Sequence, residues 1–472
     1  METILRFRYL IISLAIIAGI GLRAYQIDKY PLQYNGDDQT HAMVGASILS
    51  NDHVPAGTTL FISDNPSLFW FSHVDYYDTV RRYDFRLSEP YVDQPTLAIT
   101  IVGLLPKFFG YDHFQPLPQT LVAIPALLAG IASMYLVFLL ADKLLNKYEA
   151  ILAVVFYSFS PYVIFAHRQA QLESFLTPVY LLALLLLLQF IKNKNNRTLF
   201  FLSFICMIAG FIKLIGLIVP VLICFWLIKE KRFKAALVIF SSLLASIAIL
   251  LLYYAKIDMT QFIQVLQLQT QQGRSMYLGS LWKIISDPHF YEPFADGWYF
   301  FGFLSLFIFG FSSKDFNHRF ISVNAILILL SVLFTTGLYN NFPWYRYPLL
   351  PFISLASGWL VWDMLRRPRI STFVLFLFFM LGNIEILGQN FASLRSALPV
   401  KTILVLLLTP SLLYEIWQKP YLKKLINFTV IVVLCISIAV NTLIVLSYPN
   451  SRCIDVHCVI PLKVVVSGLQ EL

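Results

Sequence analysis

Charged side chains are scarce in this chain. Only 13% of its 472 residues are Asp, Glu, Lys or Arg, against about 25% in a soluble domain. That deficit excludes an ordinary water-soluble globule. Cysteine is scarce as well, and five residues are too few for a disulfide scaffold. No short-period repeat and no low-complexity tract is present, which excludes solenoids and arrays. Apolar residues fill the space: 58% of the chain is hydrophobic, with 41 Phe and 25 Tyr, as expected of helices in lipid with aromatic rings at the interfaces.

The first segment, "RFRYLIISLAIIAGIGLRAYQI", has a basic start and an apolar run. Arg23, Ala24 and Tyr25 follow the run in place of a small-residue cleavage site, so an uncleaved spanning helix is expected. Windows of about 20 mainly apolar residues recur near 9–25, 119–141, 148–167, 173–192, 198–213, 214–229, 235–255, 296–312, 319–338, 345–363, 370–388, 400–417 and 425–447, thirteen in all. The expected fold is an all-α integral membrane protein with about thirteen transmembrane helices.

Lys and Arg favour the cytoplasmic side of short loops. With the N-terminus inside, the inner loops become "DKLLNKYE", "KNKNNR", "KEKRFK", "SSKDFNHR", "DMLRRPR" and "QKPYLKK", all basic. The opposing short loops carry about one basic residue each. This alternation accounts for the net charge of +9 as topology and excludes a nucleic-acid partner. It predicts a multi-pass plasma-membrane protein with a cytoplasmic N-terminus and an extracytoplasmic C-terminus. Residues 1–447 form the transmembrane domain, with outer loops at 26–118 and 256–295 and an outer tail at 448–472. The tail holds Cys453, His457 and Cys458, which could close a disulfide or contribute to a metal site that lacks a fourth ligand. In the first loop, "DQTHAMVGASILSND" reads as an amphipathic helix with Ala42, Ala46 and Leu49 on one face. "PTLAITIVGLLPKFFG", residues 95–110, reads as a helix lying in the membrane surface.

Candidate chemistry gathers on the outer side. Asp37 and Asp38 can cap the helix they open. Two adjacent carboxylates also repel, which raises the pKa of one and suits it to act as a general base; the pair could equally hold a divalent cation. Asp93 precedes Gln94 and Pro95 in a turn and can present a second acid. His167, Arg168 and Glu173 lie where one span ends and the next begins. Arg168 is either a snorkelling side chain or a bidentate phosphate ligand. Lys213, in an apolar turn between two short spans, is a functional candidate. Tyr345 and Arg346 stand at an outer helix start. His41, Asp93, His167, Glu173 and Tyr345 complete the set of candidate substrate contacts. A transporter would place ionisable groups near the bilayer midplane; here the candidates sit at the outer boundary, which favours an enzyme acting on an anionic lipid, with a lipid or solute transporter as the alternative.

The ordered series "GDDQTHA", "DQPTL", "YDHFQPLPQTLVAIPALLAGIASMYLVFLLADKLL", "SPYVIFAHRQAQLES", "AGFIKLIG" and "YRYPLLPFISLASG" resembles the GT-C membrane glycosyltransferases, in particular the protein mannosyltransferase and aminoarabinose transferase superfamily. The likeness covers roughly residues 9–360. This chain has Asp37-Asp38 where the family usually has Asp-Glu, Asp93 or Gln94 near the His of its "HPPL" element, Glu173 for an Asp, and Leu117 or a neighbour for the Arg of "R-L-P". The resemblance implies transfer of a sugar from a polyprenyl-phosphate donor to an acceptor hydroxyl of a glycan, lipid or protein on the outer side. Asp37 or Asp38 would be the base, and Arg168, Lys213 and Arg346 the phosphate-binding cations, with a divalent cation as an optional aid. A polymerase or ligase of surface polysaccharide would share this topology with a different donor.

Overall fold

The computed structural model describes residues 7–27, 37–50, 68–74, 83–88, 90–111, 117–271, 281, 284, 296–312, 315–336, 343–390 and 400–447. The tail with Cys453, His457 and Cys458 lies outside them.

Within the described residues all thirteen predicted windows are mainly helical. The elements run α1 (Arg8–Ala24), α2 (Asp37–Ser50), a hairpin of β1 (Leu68–Val74) and β2 (Tyr83–Ser88), then α3 (Thr96–Phe108), α4 (Gln119–Leu144), α5 (Lys147–Phe159), α6 (Pro161–Ala166), α7 (Leu172–Asn193) and α8 (Asn196–Ile212). A 3-10 turn (Leu214–Leu217) leads into α9 (Ile218–Lys229), followed by α10 (Phe233–Ile257), α11 (Met259–Gln271), α12 (Gly297–Ser312) and α13 (Phe316–Thr336). A second 3-10 segment (Pro343–Leu349) precedes α14 (Leu350–Arg366), α15 (Ile370–Asn390), α16 (Val400–Trp417) and α17 (Pro420–Ser447). Among the described residues six helices are long and apolar enough to cross a membrane by length and composition, and six more are apolar but shorter. Large exposed hydrophobics such as Leu14, Phe200, Leu252, Phe311 and Ile416 coat the outside of the bundle. The chain is a multi-pass membrane protein.

Three local features differ from expectation. The hairpin pairs antiparallel, with Phe71 opposite Phe85 and Trp70 opposite Arg86; aromatic-rich stretches favour strands, and the all-helical reading passed over them. The window 148–167 is broken in two. Ser160 caps α6 and Pro161 stands at its first position, a pair that starts a new helix and stops the old one. The third difference concerns α2, which is buried almost all round rather than on one face: Asp38, Gln39, Thr40 and the run from Ala42 to Ser47 are covered.

Two glycines explain that burial. A Cβ on Gly45 would collide with the Ile99 carbonyl, and one on Gly103 would collide with the Gly45–Ala46 backbone. The axes of α2 and α3 therefore approach to backbone contact, as small residues permit. The covered face of α3 is Ala98, Ile99, Val102, Gly103 and Pro106. Its other face shows Leu97, Ile101, Leu104 and Phe108 to the outside, so α3 shields α2 from lipid. The main core cluster runs from Leu22 through α4–α9 to α14. A second cluster joins Trp298, Phe301, Phe376, Met380 and Val430 and ties α12, α15 and α17 together.

Candidate active site

The α2–α3 contact fixes the first turn of α2, where Asp37 is half-buried and Asp38 is 1% exposed. Asp38 faces two amides: Gln119 Nε2 stands 3.5 Å from Oδ2 and Gln171 Nε2 stands 3.4 Å from Oδ1. Gln39 locks the register. Its Nε2 donates to the Leu117 carbonyl at 2.8 Å, its Oε1 accepts from the Leu117 N–H at 3.0 Å, and its Nε2 also reaches Gln119 Oε1 at 3.1 Å. Gln119 thus accepts from Gln39 and donates to Asp38, which orients its amide.

Asp93 is brought to the same region through Tyr91. Burial, followed by Asp93, Tyr254 and Asp37, holds the Tyr91 phenol well above its ordinary range. Both acids therefore act on one buried ring.

The segment that runs from the α6–α7 break into the first turn of α7, residues 167–173, gathers the other groups. His41 Nδ1 meets the Ala170 carbonyl at 3.1 Å. A carbonyl only accepts, so Nδ1 carries the proton and Nε2 keeps its lone pair. Burial pushes the His41 pKa down to about 4; the Ala170 carbonyl opposes this and the nearby Lys213 ammonium adds to it. Gln169 Oε1 accepts from the Tyr347 hydroxyl at 2.7 Å. Glu173 forms an ion pair with Lys213 at 2.5 Å, and Lys213 Nζ lies 4.8 Å from the centroid of the Tyr345 ring. Lys213 is held extended between α8 and the 3-10 turn. A Cβ on Gly216 would strike the Ala209 carbonyl, which keeps that turn folded back on α8. Arg346 is fully buried and hydrogen-bonds the Tyr162 side chain.

The structure thus brings Asp38, His41, Glu173, Lys213 and Tyr345 onto one short link, with Asp37 and Asp93 beside α2 and Arg346 on the Tyr162 side. His167 and Arg168 point to the rear. His167 Nδ1 accepts from Arg23 Nε at 2.9 Å, and its Nε2 lies 3.1 Å from the Tyr157 hydroxyl. Arg168 donates to the Leu22 carbonyl and sits 5.2 Å over the Phe165 ring. Arg23 completes this wall by donating to the carbonyls of Gly19, Ser158 and Tyr157 at 2.9, 3.0 and 2.8 Å.

Sequence reasoning passed over Gln39, Gln119, Gln171 and Arg23. The glutamines carry no charge, and Arg23 stands at the end of the first span. A polar amide inside a mainly apolar stretch was the available signal.

From the Glu173–Tyr345 edge a narrow apolar cleft runs into the bundle. Leu176 and Tyr180 continue the Glu173 face of α7, while Ile215, Val219 and Leu222 supply the opposite wall. Among the described residues no group of three or more His, Cys, Asp or Glu side chains is arranged to hold a metal ion. The Gln119 and Gln171 amides turn N–H donors toward Asp38.

An acid-bearing helix, a polar link and cations meet over an apolar cleft, in a membrane-protein bundle of GT-C architecture. The sequence profile of the dolichyl-phosphate-mannose-protein mannosyltransferase family matches residues 114–254, the part holding Gln119, the 167–173 link and Lys213. Among solved structures the chain is similar to ArnT from Cupriavidus metallidurans. Against ArnT bound to undecaprenyl phosphate the TM-score is 0.55 at 12% identity, over 93% of this chain and 78% of ArnT. Against apo ArnT it is 0.55 at 13% identity, over 95% and 78%. No protein of curated function matches the chain in sequence.

Proposed function

We propose that the chain is a glycosyltransferase that moves a sugar from a polyprenyl-phosphate carrier to an acceptor hydroxyl at the extracytoplasmic surface. Residues 1–447 serve as one transmembrane unit, with the loops at 26–118 and 256–295 and the tail at 448–472 outside. The GT-C fold and the matched mannosyltransferase segment support the reaction class. The undecaprenyl phosphate bound to ArnT supports the type of donor. The observation that carries the reading is the 167–173 link, which touches the acid helix through Gln171 and Ala170 and holds Lys213 through Glu173.

The acceptor oxygen forms a bond to the sugar's anomeric carbon while the bond from that carbon to the carrier phosphate breaks. The electron pair leaves with the phosphate, and the acceptor proton passes to a carboxylate. Asp37, the less buried of the pair, takes that proton. Asp38, held by the Gln119 and Gln171 amides, orients the hydroxyl. Lys213 and Arg346 receive the charge that develops on the departing phosphate, and Arg168 and His167 back them from the rear wall. His41, Asp93, Glu173 and Tyr345 shape the sugar and phosphate pocket. The carrier's tail follows the cleft along Leu176 and Val219. The acceptor is a glycan, a lipid or a protein.

Asp37→Asn and Asp38→Asn are expected to abolish transfer while the folded protein still retains carrier lipid. Mass spectrometry of lipid co-purified with the Asp37→Asn protein tests the donor class. A prenyl-phosphate sugar is the expected ligand. Full transfer by both variants would overturn the catalytic assignment, and retention of lipid without any transfer by the wild type would leave a transporter.

A further inference from the structure

The two ends of α7 carry different equipment. Glu173 opens the helix at the site just described. Its other end, nineteen residues and about 28 Å away at 1.5 Å per residue, opens on a separate cavity of about 590 Å³. Lys143 and Leu144 from the end of α4, Leu188, Gln189, Lys192 and Asn193 from α7, and Asn317 from the start of α13 line it. On the same helix α13, Ser331 and Val332 reach the apolar cleft beside Glu173, fourteen residues and about 21 Å from Asn317. The cavity therefore lies on the opposite face of the bundle, where the basic loops gather.

Its chemistry is that of an anion receptor with an apolar floor. Lys143 and Lys192 supply two ammonium groups, and among the described residues neither has an ion-pair or hydrogen-bond partner. Three of the carboxylates at this end have partners of their own. Asp142 pairs with Arg8. Asp315 is held by His318 at 2.7 Å and by the Asn317 N–H at 2.6 Å, and Glu149 accepts from the Asn146 N–H at 2.9 Å. Gln189, Asn193 and Asn317 offer amide donors. Leu144 and Leu188 offer the apolar contact that the glycerol and first acyl carbons of a lipid need. A basic pocket between helix ends at the cytoplasmic boundary suits an anionic lipid head group.

We propose that this cavity binds the head group of an anionic phospholipid from the inner leaflet, with its phosphate between Lys143 and Lys192. The site is separate from the carrier-phosphate site and does not depend on the transfer reaction. Each lysine near a charged membrane surface contributes enough for about a fivefold change in binding, so about 25-fold together.

The test uses the full chain purified in neutral detergent. Native mass spectrometry titrates dioctanoyl-phosphatidylglycerol, dioctanoyl-phosphatidylcholine and inorganic phosphate. One phosphatidylglycerol should bind saturably in the wild type and in Lys213→Met/Glu173→Gln, and about 25-fold more weakly in Lys143→Gln/Lys192→Gln. Both lysines are exposed, so the double variant should keep the wild-type melting temperature. Equal retention of phosphatidylcholine would overturn the charge argument, and complete competition by inorganic phosphate at matched concentration would overturn the lipid assignment. Binding lost in Lys213→Met/Glu173→Gln but kept in Lys143→Gln/Lys192→Gln would place the lipid at the outer site and overturn the proposal.

Discussion

Replacing Lys213 by Met removes the cation from an ion pair that water hardly reaches. The Glu173 side chain is 2% exposed and the Lys213 side chain 13%. Among the described residues Glu173 Oε2 has no hydrogen-bond partner of its own, so the variant strands a buried carboxylate. Breaking one side of such a pair costs about 3–5 kcal/mol. Lys213→Met should therefore melt well below the wild type in detergent. Adding Glu173→Gln removes the stranded charge, and the double variant should recover most of that loss, because a neutral replacement of a buried pair is often near neutral. Activity should not follow stability. A charge-assisted hydrogen bond to phosphate contributes about 1.5–3 kcal/mol, so the stable double variant should show a donor KM raised by about 10–100-fold. Melting curves and transfer kinetics on the four proteins of the cycle separate the two effects. If the double variant melts normally and also has the wild-type donor KM, the pair serves only the fold and the phosphate role of Lys213 is wrong.

Gly45→Ala forces a methyl group into the Ile99 carbonyl. It should cost about 1–3 kcal/mol and reduce transfer by shifting α2, whereas Gly21→Ala, with open space around it, should do neither. His41 has its folded-state pKa pushed down by burial to about 4 from 6.5. The unfolded chain then binds the extra proton in that window, so stability from neutral His41 is full above pH 6.5 and falls as the pH drops toward 4; melting curves of His41→Gln should lack this part of the slope. Asp296 accepts from Ser160 Oγ, Tyr162 N, Trp298 N and Asn383 Nδ2 at 2.8, 3.1, 2.9 and 3.1 Å, which pins the start of α6. Asp296→Ala should destabilise the protein by about 3 kcal/mol or more. If it also reaches Arg346 through Tyr162, Tyr162→Phe should add little to its effect on donor KM; full additivity would refute that route.

The bundle was readable because its signals are collective. Thirteen apolar windows and alternating basic loops do not depend on any single residue, and within the described residues every window is mainly helical. The finer breaks follow local chemistry that an apolar average hides. Ser160-Pro161 divides one window, and the aromatic strands Leu68–Val74 and Tyr83–Ser88 sit inside a loop. In the candidate site the charges stood out because they are rare in such a sequence. Their neutral partners did not: Gln39, Gln119 and Gln171 look like ordinary polar residues until the fold sets them around Asp38. The burial of α2 was hidden for another reason. It rests on Gly45 meeting Gly103, fifty-eight positions apart, and no local pattern announces such a pair.

The 167–173 link explains why the fold and the proposed chemistry use the same groups. Irregular backbone at a membrane boundary is tolerated only where protein covers it and its polar groups find partners. Residues 167–171 are all buried. His41 satisfies the Ala170 carbonyl, and Ser174 Oγ donates to the carbonyls of Gln169 and Ala166 at 3.1 and 3.3 Å. Tyr347 occupies the Gln169 side chain. A continuous helix here would need none of these contacts, and it would have no reason to hold His41 beside Ala170. The break therefore fixes the tautomer of His41, aims Gln171 at Asp38 and delivers Glu173 to Lys213. A shortened link that joined α6 and α7 into one helix should cost more activity than stability, because the helix it makes is self-satisfied while the acids and the cation lose their common mount.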